Sequence, residues 1–364
     1  MGIGGLTMNR LFMSKTLFGL LLSVLTVVSC SKSGGPSSDS VCFSVGLAGA
    51  GTRTAYSRDG VYQEGVLTRE RIDWTDGDLV TVYSPEAMKT DWSHSADYRI
   101  VSHVTSADNL MSHAEVIATD ADGKGLTWEA GTNHFYGMYP SVSMYRSTDE
   151  GYGWVGLDGT TLKGTIPSGQ TLSWSGLTGT GNITGTPDMK YAFMFAKQTG
   201  RKGDSEVNLV FFPKFTAFEF TIGSGENPAV TLSSFKLETT ESGAFLAGNF
   251  SMAGDTEAVT VESAGATRYV TVNFPAGTVV TPEKPLTFTV FALPKDLTKM
   301  QIWFTGTEIG DRKLVLNDGS GNPLSFSACK KYRLAGLSFP SILTAQGEGI
   351  LWDLEAHGEG LEWY

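Results

Sequence analysis

Apolar and polar residues alternate with a period of two along most of this chain, which is the pattern of a β-strand that buries one face. No segment keeps a helical period over three turns, and one short helix is expected near residues 84–89. The apolar runs recur about every ten residues between Gly, Pro and Asn, which predicts antiparallel β-sandwiches rather than a parallel sheet with crossover helices. The clearest alternating runs are 41–47, 78–83, 207–213, 215–222 and 286–294.

The strand-rich region has one break in its pattern, a polar and Gly-rich stretch at residues 198–204. We therefore expect two all-β domains in tandem, an N-terminal sandwich at 41–200 and a C-terminal sandwich at 201–340. The chain of 364 residues is long enough for two domains of about 150 residues each. Residues 341–364 differ from both domains in composition, because they form an acidic, Gly-containing tail.

The start of the chain has the composition of an export signal. Arg10 and Lys15 precede an apolar run at residues 17–25, and small residues then lead to Cys30. A short apolar run behind basic residues predicts a cleaved signal peptide rather than a membrane-spanning helix. A cysteine placed directly after a small residue resembles the bacterial lipobox, which implies that residues 1–29 are removed and that Cys30 is acylated. An ordinary secretory signal with an incidental cysteine is the alternative.

Two further features follow from this export signal. Residues 30–40 are rich in Gly and Ser, which predicts a flexible tether between a lipid anchor and the folded region. With Cys30 acylated, Cys42 and Cys329 are the two remaining cysteines, and they lie on candidate strands near opposite ends of the mature chain. An oxidising compartment would permit a disulfide between them. Two separate buried thiols are the other interpretation.

The charge of the chain limits its partners. Acidic residues outnumber basic residues by 38 to 27, which gives a net charge of −11, and Lys and Arg form no stripe along the sequence. Because a phosphate backbone would be repelled by this charge, we exclude nucleic acid as a partner.

Residue patterns that carry enzyme chemistry are absent from the sequence. There is no nucleophile elbow, no phosphate-binding loop with its lysine and no zinc-binding spacing among the five histidines. The acidic stretch at residues 73–78 could offer oxygens to calcium, but without the spacing of an EF-hand loop it is better interpreted as a turn before a strand. We predict a protein that is not an enzyme and that has no cofactor and no metal site.

Eight tryptophans allow a second functional interpretation, a surface lipoprotein that binds glycans through exposed indole rings. Trp74 and Trp303 lie within apolar patterns and are expected in the core. The better candidates for exposure lie among Gly, Ser and Asp residues, and they are Trp92, Trp128, Trp154 and Trp174.

Four segments of the sequence resemble one known family. They are GTRTAY at 51–56, RIDWTDGDLVTVY at 71–83, LVFFPKFTAFEF at 209–220 and KYRLAGL at 331–337. In this order behind a lipobox, they are similar to the fimbrillin-like proteins of Bacteroidota, the subunits of type V pili. The resemblance implies two transthyretin-like β-sandwiches and a place in a fimbrium on the cell outer membrane. The partners it implies are other fimbrial subunits, the outer membrane and a surface ligand on a host or a bacterium.

The family's assembly chemistry implies specific residues in this chain. In that family an arginine-directed protease removes the first strand of a lipoprotein precursor, and the groove accepts a strand from a neighbouring subunit. The removable strand would be 41–47, and the cut would follow Arg53 or Arg58; the alternative is that both arginines are loop residues and no cleavage occurs. Residues 350–354 alternate only in part, so a tip, accessory or anchor subunit fits the tail as well as a stalk subunit does.

Overall fold

A computed structural model describes residues 39–47, 57–63, 66–71, 74–105, 112–318, 320–339, 351–352 and 362–363. Within these ranges the chain consists of strands, turns and two short 3-10 helices, and no α-helix occurs there. The all-β class predicted from the alternation is therefore confirmed. In the same ranges, no helix is long and apolar enough to cross a bilayer.

The strands are numbered in chain order. The first thirteen are β1 (Phe43–Leu47), β2 (Ser57–Gln63), β3 (Val66–Arg71), β4 (Leu79–Tyr83), β5 (Ser95–Thr105), β6 (Ser112–Ala118), β7 (Thr132–Tyr139), β8 (Gly156–Asp158), β9 (Thr161–Ile166), β10 (Leu172–Ser175), β11 (Ile183–Pro187), β12 (Met194–Arg201) and β13 (Val207–Pro213). The other eleven are β14 (Thr216–Gly223), β15 (Val230–Thr239), β16 (Gly248–Ala253), β17 (Val259–Val261), β18 (Tyr269–Val280), β19 (Leu286–Ala292), β20 (Met300–Gly306), β21 (Gly310–Val315), β22 (Lys331–Ser338), β23 (Leu351–Trp352) and β24 (Glu362–Trp363). The 3-10 helices are Val142–Met144 and Met189–Tyr191.

Seven of the described strands close into a barrel in the order β1-β13-β12-β7-β4-β5-β6, and β6 pairs with β1 to complete it. Neighbouring strands in the barrel are antiparallel, except that β1 and β13 run parallel. Trp74 is fully buried. Its ring packs edge-on against Tyr139 and Phe211, with ring centroids 5.6 and 5.5 Å away. A closed barrel has no free sheet edge, so each of its strands has a backbone partner on both sides.

Two other sheets face each other across an aromatic core. Their strand orders are β10-β11-β19-β14-β22-β23 and β18-β15-β20-β21. Phe220 and Phe288 of the first sheet pack against Phe235 of the second, with ring centroids 4.7 and 4.9 Å apart, and Phe288 also contacts Phe274 at 5.5 Å. The alternation places these rings on one face of each strand, which is the arrangement of a β-sandwich.

Two smaller sheets have the strand orders β17-β16-β9-β8 and β2-β3-β24. β9 pairs with β16, and β11 pairs with β19, so strands from before and after residue 200 share sheets. Four of the described pairs are parallel, which the alternation alone does not indicate. They are β1 with β13, β11 with β19, β14 with β22, and β3 with β24.

The stretch at residues 198–204, which we expected to separate two domains, forms the end of β12 and the turn into β13. The Asp204 carboxylate accepts a hydrogen bond from the backbone N–H of Arg201 at 2.8 Å, and the Asp204 N–H donates to the Arg201 carbonyl at 2.9 Å. β13 lies beyond this stretch and yet belongs to the barrel. Gly and Asp are typical of a tight turn as well as of a linker, so composition alone does not distinguish the two.

The short helix expected near residues 84–89 does not form, and that prediction is wrong. The Ser84 hydroxyl accepts hydrogen bonds from the backbone N–H groups of Glu86 and Ala87, at 3.3 and 2.9 Å. The Ser84 carbonyl also accepts a hydrogen bond from the ring nitrogen Nδ1 of His94, at 3.0 Å. These local bonds hold the chain in a bend, because a serine hydroxyl competes with the backbone bonds of a helix.

Candidate strand-exchange site

β1 lies between two neighbours that run in different directions. Its residues 43–47 pair in parallel with 207–211 of β13, and its residues 44–47 pair antiparallel with 112–115 of β6. All five residues of β1 are buried. This short strand is therefore the piece that joins β6 to β13 and closes the barrel.

Backbone contacts continue the pairing of β1 towards the N terminus. The N–H of Val41 donates to the carbonyl of Leu126 at 2.9 Å, and the N–H of Trp128 donates to the carbonyl of Asp39 at 2.7 Å. We call residues 39–47 the N-terminal ribbon. Its backbone is hydrogen-bonded to the rest of the chain over its whole length.

The apolar side chains of the N-terminal ribbon fill the barrel from one side. The ring of Phe43 packs edge-on against Tyr98 and Phe135, with ring centroids 5.1 and 5.0 Å away. Phe43, Val45 and Leu47 are each at most 2% exposed. Full burial of such a side chain contributes about 1.5–3 kcal/mol, so the three together stabilise the barrel by roughly 5–9 kcal/mol.

Withdrawal of the N-terminal ribbon would leave a groove between β6 and β13. The backbone donors and acceptors on both sides of the groove would lose their partners, and Tyr98 and Phe135 would lose the ring between them. Unpaired strand edges next to exposed apolar surface favour the addition of another strand. The groove fits an extended segment with apolar residues at alternate positions and small residues between them, as Ser44 and Gly46 are in β1.

The sequence predicts three sites of acylation or cleavage, and only one of them lies within the described residues. Cys30 and Arg53 fall outside the described residues. Arg58 lies in β2, which pairs with β3. Because proteases favour exposed loop backbone over a hydrogen-bonded strand, the position of Arg58 makes it the poorer candidate of the two arginines.

Cys42 and Cys329, the two cysteines among the described residues, are not bonded to each other. Cys42 directly precedes β1. Cys329 lies two residues before β22, in the left-handed region of backbone space with φ at 57°, and its N–H donates to the Thr216 hydroxyl at 3.1 Å. Each of the two cysteines is partly buried in this structure, and whether they pair in an oxidising compartment stays a prediction.

Cys329 is expected to react slowly with iodoacetamide, because burial raises the pKa of its thiol to about 11. The thiolate is the reactive form, and an ordinary cysteine has a pKa of about 8.5, so the rate at pH 8 should fall by roughly two orders of magnitude. The rate should rise about tenfold per pH unit until the pH approaches 11. Mass spectrometry of the tryptic peptide measures the rate, with the urea-unfolded chain as control; equal rates in both states would contradict the burial.

The acidic stretch before β4 forms the turn that the sequence predicted. The Asp78 carboxylate accepts the backbone N–H of Thr75 at 2.8 Å, the Asp78 N–H donates to the Thr75 carbonyl at 3.0 Å, and Gly77 has a positive φ of 94°. Across the part of the chain that the structure describes, no group of three or more His, Cys, Asp or Glu side chains is placed to hold a metal ion.

The exposure of four tryptophan side chains agrees with the prediction at two positions and differs from it at the other two. Trp92 is 79% exposed and Trp74 is fully buried, both as expected. Trp128 was expected at the surface but is only 6% exposed, because its ring packs edge-on against Phe135 in the barrel. Trp303 was expected in the core but is half-buried on the outer face of β20.

The other two tryptophans that were considered as glycan-binding residues are held by contacts within the chain. The Trp154 indole N–H donates to the Phe250 carbonyl at 3.2 Å, and the Lys163 Nζ lies 5.3 Å from the centre of its ring. The Trp174 ring packs edge-on against Phe274, with centroids 5.6 Å apart.

No family model matches the chain, and no curated protein matches it. Solved structures do resemble it. A candidate cell adhesion protein of Bacteroides uniformis shares 17% identity over 84% of this chain and 94% of its own, with a TM-score of 0.47. One of Bacteroides ovatus shares 16% identity over 89% and 99%, with a TM-score of 0.46. A fimbrial assembly protein of Parabacteroides distasonis shares 9% identity over 86% and 99%, with a TM-score of 0.40.

These neighbours are described as candidate cell adhesion proteins of Bacteroides and a fimbrial assembly protein of Parabacteroides. At such low identities they are proteins to which this chain is similar. A function for the chain has to be derived from its own residues.

Proposed function

We propose that this chain is a non-enzymatic structural subunit of a surface fimbria, exported as a lipoprotein and assembled by exchange of its first strand. The observation that carries the proposal is the position of β1: five residues, all buried, close a barrel between β6 and β13. The lipobox at Cys30 and the four segments that resemble fimbrillin-like proteins support it. Anchoring through Cys30 would bring the chain to the outer membrane.

Cleavage after Arg53 would separate the N-terminal ribbon from the rest of the chain. Arg53 lies six residues after the last residue of β1, and β2 begins four residues after it. After such a cut, noncovalent contacts alone would hold the ribbon in the barrel. Among them are its backbone hydrogen bonds, the burial of Phe43, Val45 and Leu47, and the ion pair of Asp39 with Lys202 at 2.7 Å. An incoming strand with apolar residues at the same alternate positions would make the same contacts. The net free-energy cost of the exchange is therefore small once that strand is in place.

The strand pairs made by the C-terminal tail are relevant to whether the chain is a tip, accessory or stalk subunit of a fibre. Part of the segment considered as a donor strand, β23, pairs antiparallel with β22 at the edge of the six-stranded sheet. Near the end of the chain, β24 pairs in parallel with β3. We propose that the chain accepts a strand at the β6–β13 groove, as a tip or accessory component or as a stalk subunit would.

The test is the N-terminal sequence and mass of the protein recovered from the cell surface, with detergent-resistant oligomers followed on gels. We expect the wild-type chain to begin at Thr54 and to form ladders. Arg53→Ala should give an intact chain that begins at acylated Cys30 and forms no ladder, because its groove stays filled.

Arg58→Ala is the matched control and should be processed like the wild type. An intact, monomeric, acylated wild-type chain on cells that make fimbriae would contradict strand exchange. Ladders formed by the Arg53→Ala variant without any cleavage would contradict the role of Arg53.

A further inference from the structure

We propose that this protein has a saccharide-binding site at one end of the sheet β18-β15-β20-β21, formed by Glu238, Phe245, Arg268 and Tyr269. The four residues are among those that line a shallow cavity of about 450 Å³, which is open to solvent. The proposal goes beyond strand exchange and does not depend on it, because β1 belongs to the barrel and these residues belong to another sheet and its loops.

Glu238 is held in a fixed orientation by three donors on one of its two oxygens. Its Oε2 accepts hydrogen bonds from Gln301 Nε2 at 2.8 Å and from Trp303 Nε1 at 3.1 Å, and Lys236 Nζ lies 3.1 Å away. Among the described residues, none makes a comparable contact with Oε1. The carboxylate is therefore oriented by the protein through one oxygen and can accept a ligand's hydrogen bonds through the other.

The donors to Glu238 are themselves fixed by the sheet. Lys236, Trp303 and Lys313 are neighbours across β15, β20 and β21. The ammonium groups of the two lysines lie 4.9 and 5.4 Å from the centre of the Trp303 ring. Burial tends to raise the pKa of Glu238, but the hydrogen bonds from Gln301 and Lys236 outweigh it and hold that pKa below its ordinary value. Glu238 is thus ionised near neutral pH and acts only as an acceptor.

The other walls of the cavity supply donors and aromatic surface. Arg268 donates its Nε–H to the Thr239 carbonyl at 3.2 Å, which orients the guanidinium and leaves its terminal nitrogens as further donors. Tyr269 is 40% exposed, and Phe245 is partly buried against the core. The cavity is therefore lined by an oriented acceptor, an oriented guanidinium and two aromatic residues, and Tyr269 of β18 is the register partner of Glu238 of β15.

This combination fits a neutral polyhydroxylated ring. Each sugar hydroxyl can donate to Glu238 and accept from Arg268, and the C–H face of a pyranose can pack on an aromatic ring. An organic cation would be attracted by Glu238 but repelled by Arg268 and Lys236, and an anion would be repelled by Glu238. A hexose or N-acetylhexosamine unit satisfies both polar groups at once.

The test is saturation-transfer NMR on the full mature chain, with glucose, galactose, mannose, N-acetylglucosamine and N-acetylgalactosamine as probes. We expect binding of at least one sugar with a Kd of about 1–10 mM, as for a small ligand in an accessible site. Glu238→Ala and Tyr269→Ala should each weaken binding about tenfold or more, since one loses a charged hydrogen-bond acceptor and the other an aromatic wall. Thermal unfolding of each variant shows that it is folded.

Glu308→Ala is the matched control. The Glu308 carboxylate accepts the N–H and the hydroxyl of Thr231, at 2.6 and 2.9 Å, at the opposite end of β15, so its loss should leave sugar binding unchanged. The proposal is overturned if none of the five sugars binds the folded chain, or if binding survives both Glu238→Ala and Tyr269→Ala. Binding of methylammonium chloride without any sugar would also overturn it, because that result would identify a cation site.

Discussion

A chain that lacks residues 39–47 is expected to lose its folded barrel and to regain it when a synthetic peptide of those residues is added. The deletion removes four buried apolar side chains, Val41, Phe43, Val45 and Leu47, which together contribute roughly 6–12 kcal/mol. It also removes the backbone partners of β6 and β13. Because a native protein is stable by only about 5–15 kcal/mol, the truncated chain should not keep the barrel closed.

Near-ultraviolet circular dichroism follows the packing of the barrel aromatics in this experiment. The native peptide should restore the signal, and the peptide with Phe43→Ala should require a concentration at least about a hundredfold higher, because the large-to-small change costs about 3–5 kcal/mol. A peptide of scrambled sequence is the control. A native-like spectrum of the truncated chain without any peptide would show that the ribbon does not close the barrel.

In the full chain, Phe43→Ala is expected to lower the free energy of unfolding by about 3–5 kcal/mol. Phe43 is 2% exposed and lies between Tyr98 and Phe135. Its truncation leaves a cavity in a barrel whose other side chains are already packed. Urea unfolding followed by tryptophan fluorescence measures the loss as a lower midpoint with an unchanged slope.

Phe212→Ala offers a matched control for that measurement. Phe212 lies on β13, the parallel neighbour of β1, but its side chain is 51% exposed. Its replacement should therefore change the free energy of unfolding by less than about 1 kcal/mol. Equal effects of the two substitutions would contradict the burial that distinguishes them.

The strands of this protein are readable from its sequence because burial of one face imposes a period of two on the side chains. Residues 41–47, 207–213 and 286–294 alternate in the sequence, and β1, β13 and β19 are found there. The resemblance to fimbrillin-like proteins also predicts a role for the first strand in assembly, and that stays a prediction. Local periodicity does not show which strands pair with a given strand in the sheet.

Pairing across long distances explains what the sequence did not predict. β13 continues the barrel although a polar, Gly-rich stretch precedes it, since that stretch forms a hairpin turn. Trp128 is buried because Phe135 packs on it, and Trp303 faces outwards because its neighbours across the sheet are Lys236 and Lys313. In each case the deciding residue is remote in the sequence or lies across a turn.

The bend at residues 84–89 is a local error of a different kind. Straight-chain residues such as Glu86 and Lys89 favour a helix by intrinsic propensity, which is a weak preference. The Ser84 hydroxyl captures two of the backbone N–H groups that would begin such a helix. A serine at the start of a short polar segment is therefore as compatible with a bend as with a helix cap.

The directions of the two strands beside β1 would determine the polarity of any assembly. One wall of the groove runs with β1 and the other runs against it, so a replacement segment that keeps both sets of hydrogen bonds can enter in a single orientation. Every junction between successive copies would then point the same way. Contacts of this head-to-tail kind do not close on themselves in pairs, so a filament built from them would have two chemically distinct ends and would grow differently at each.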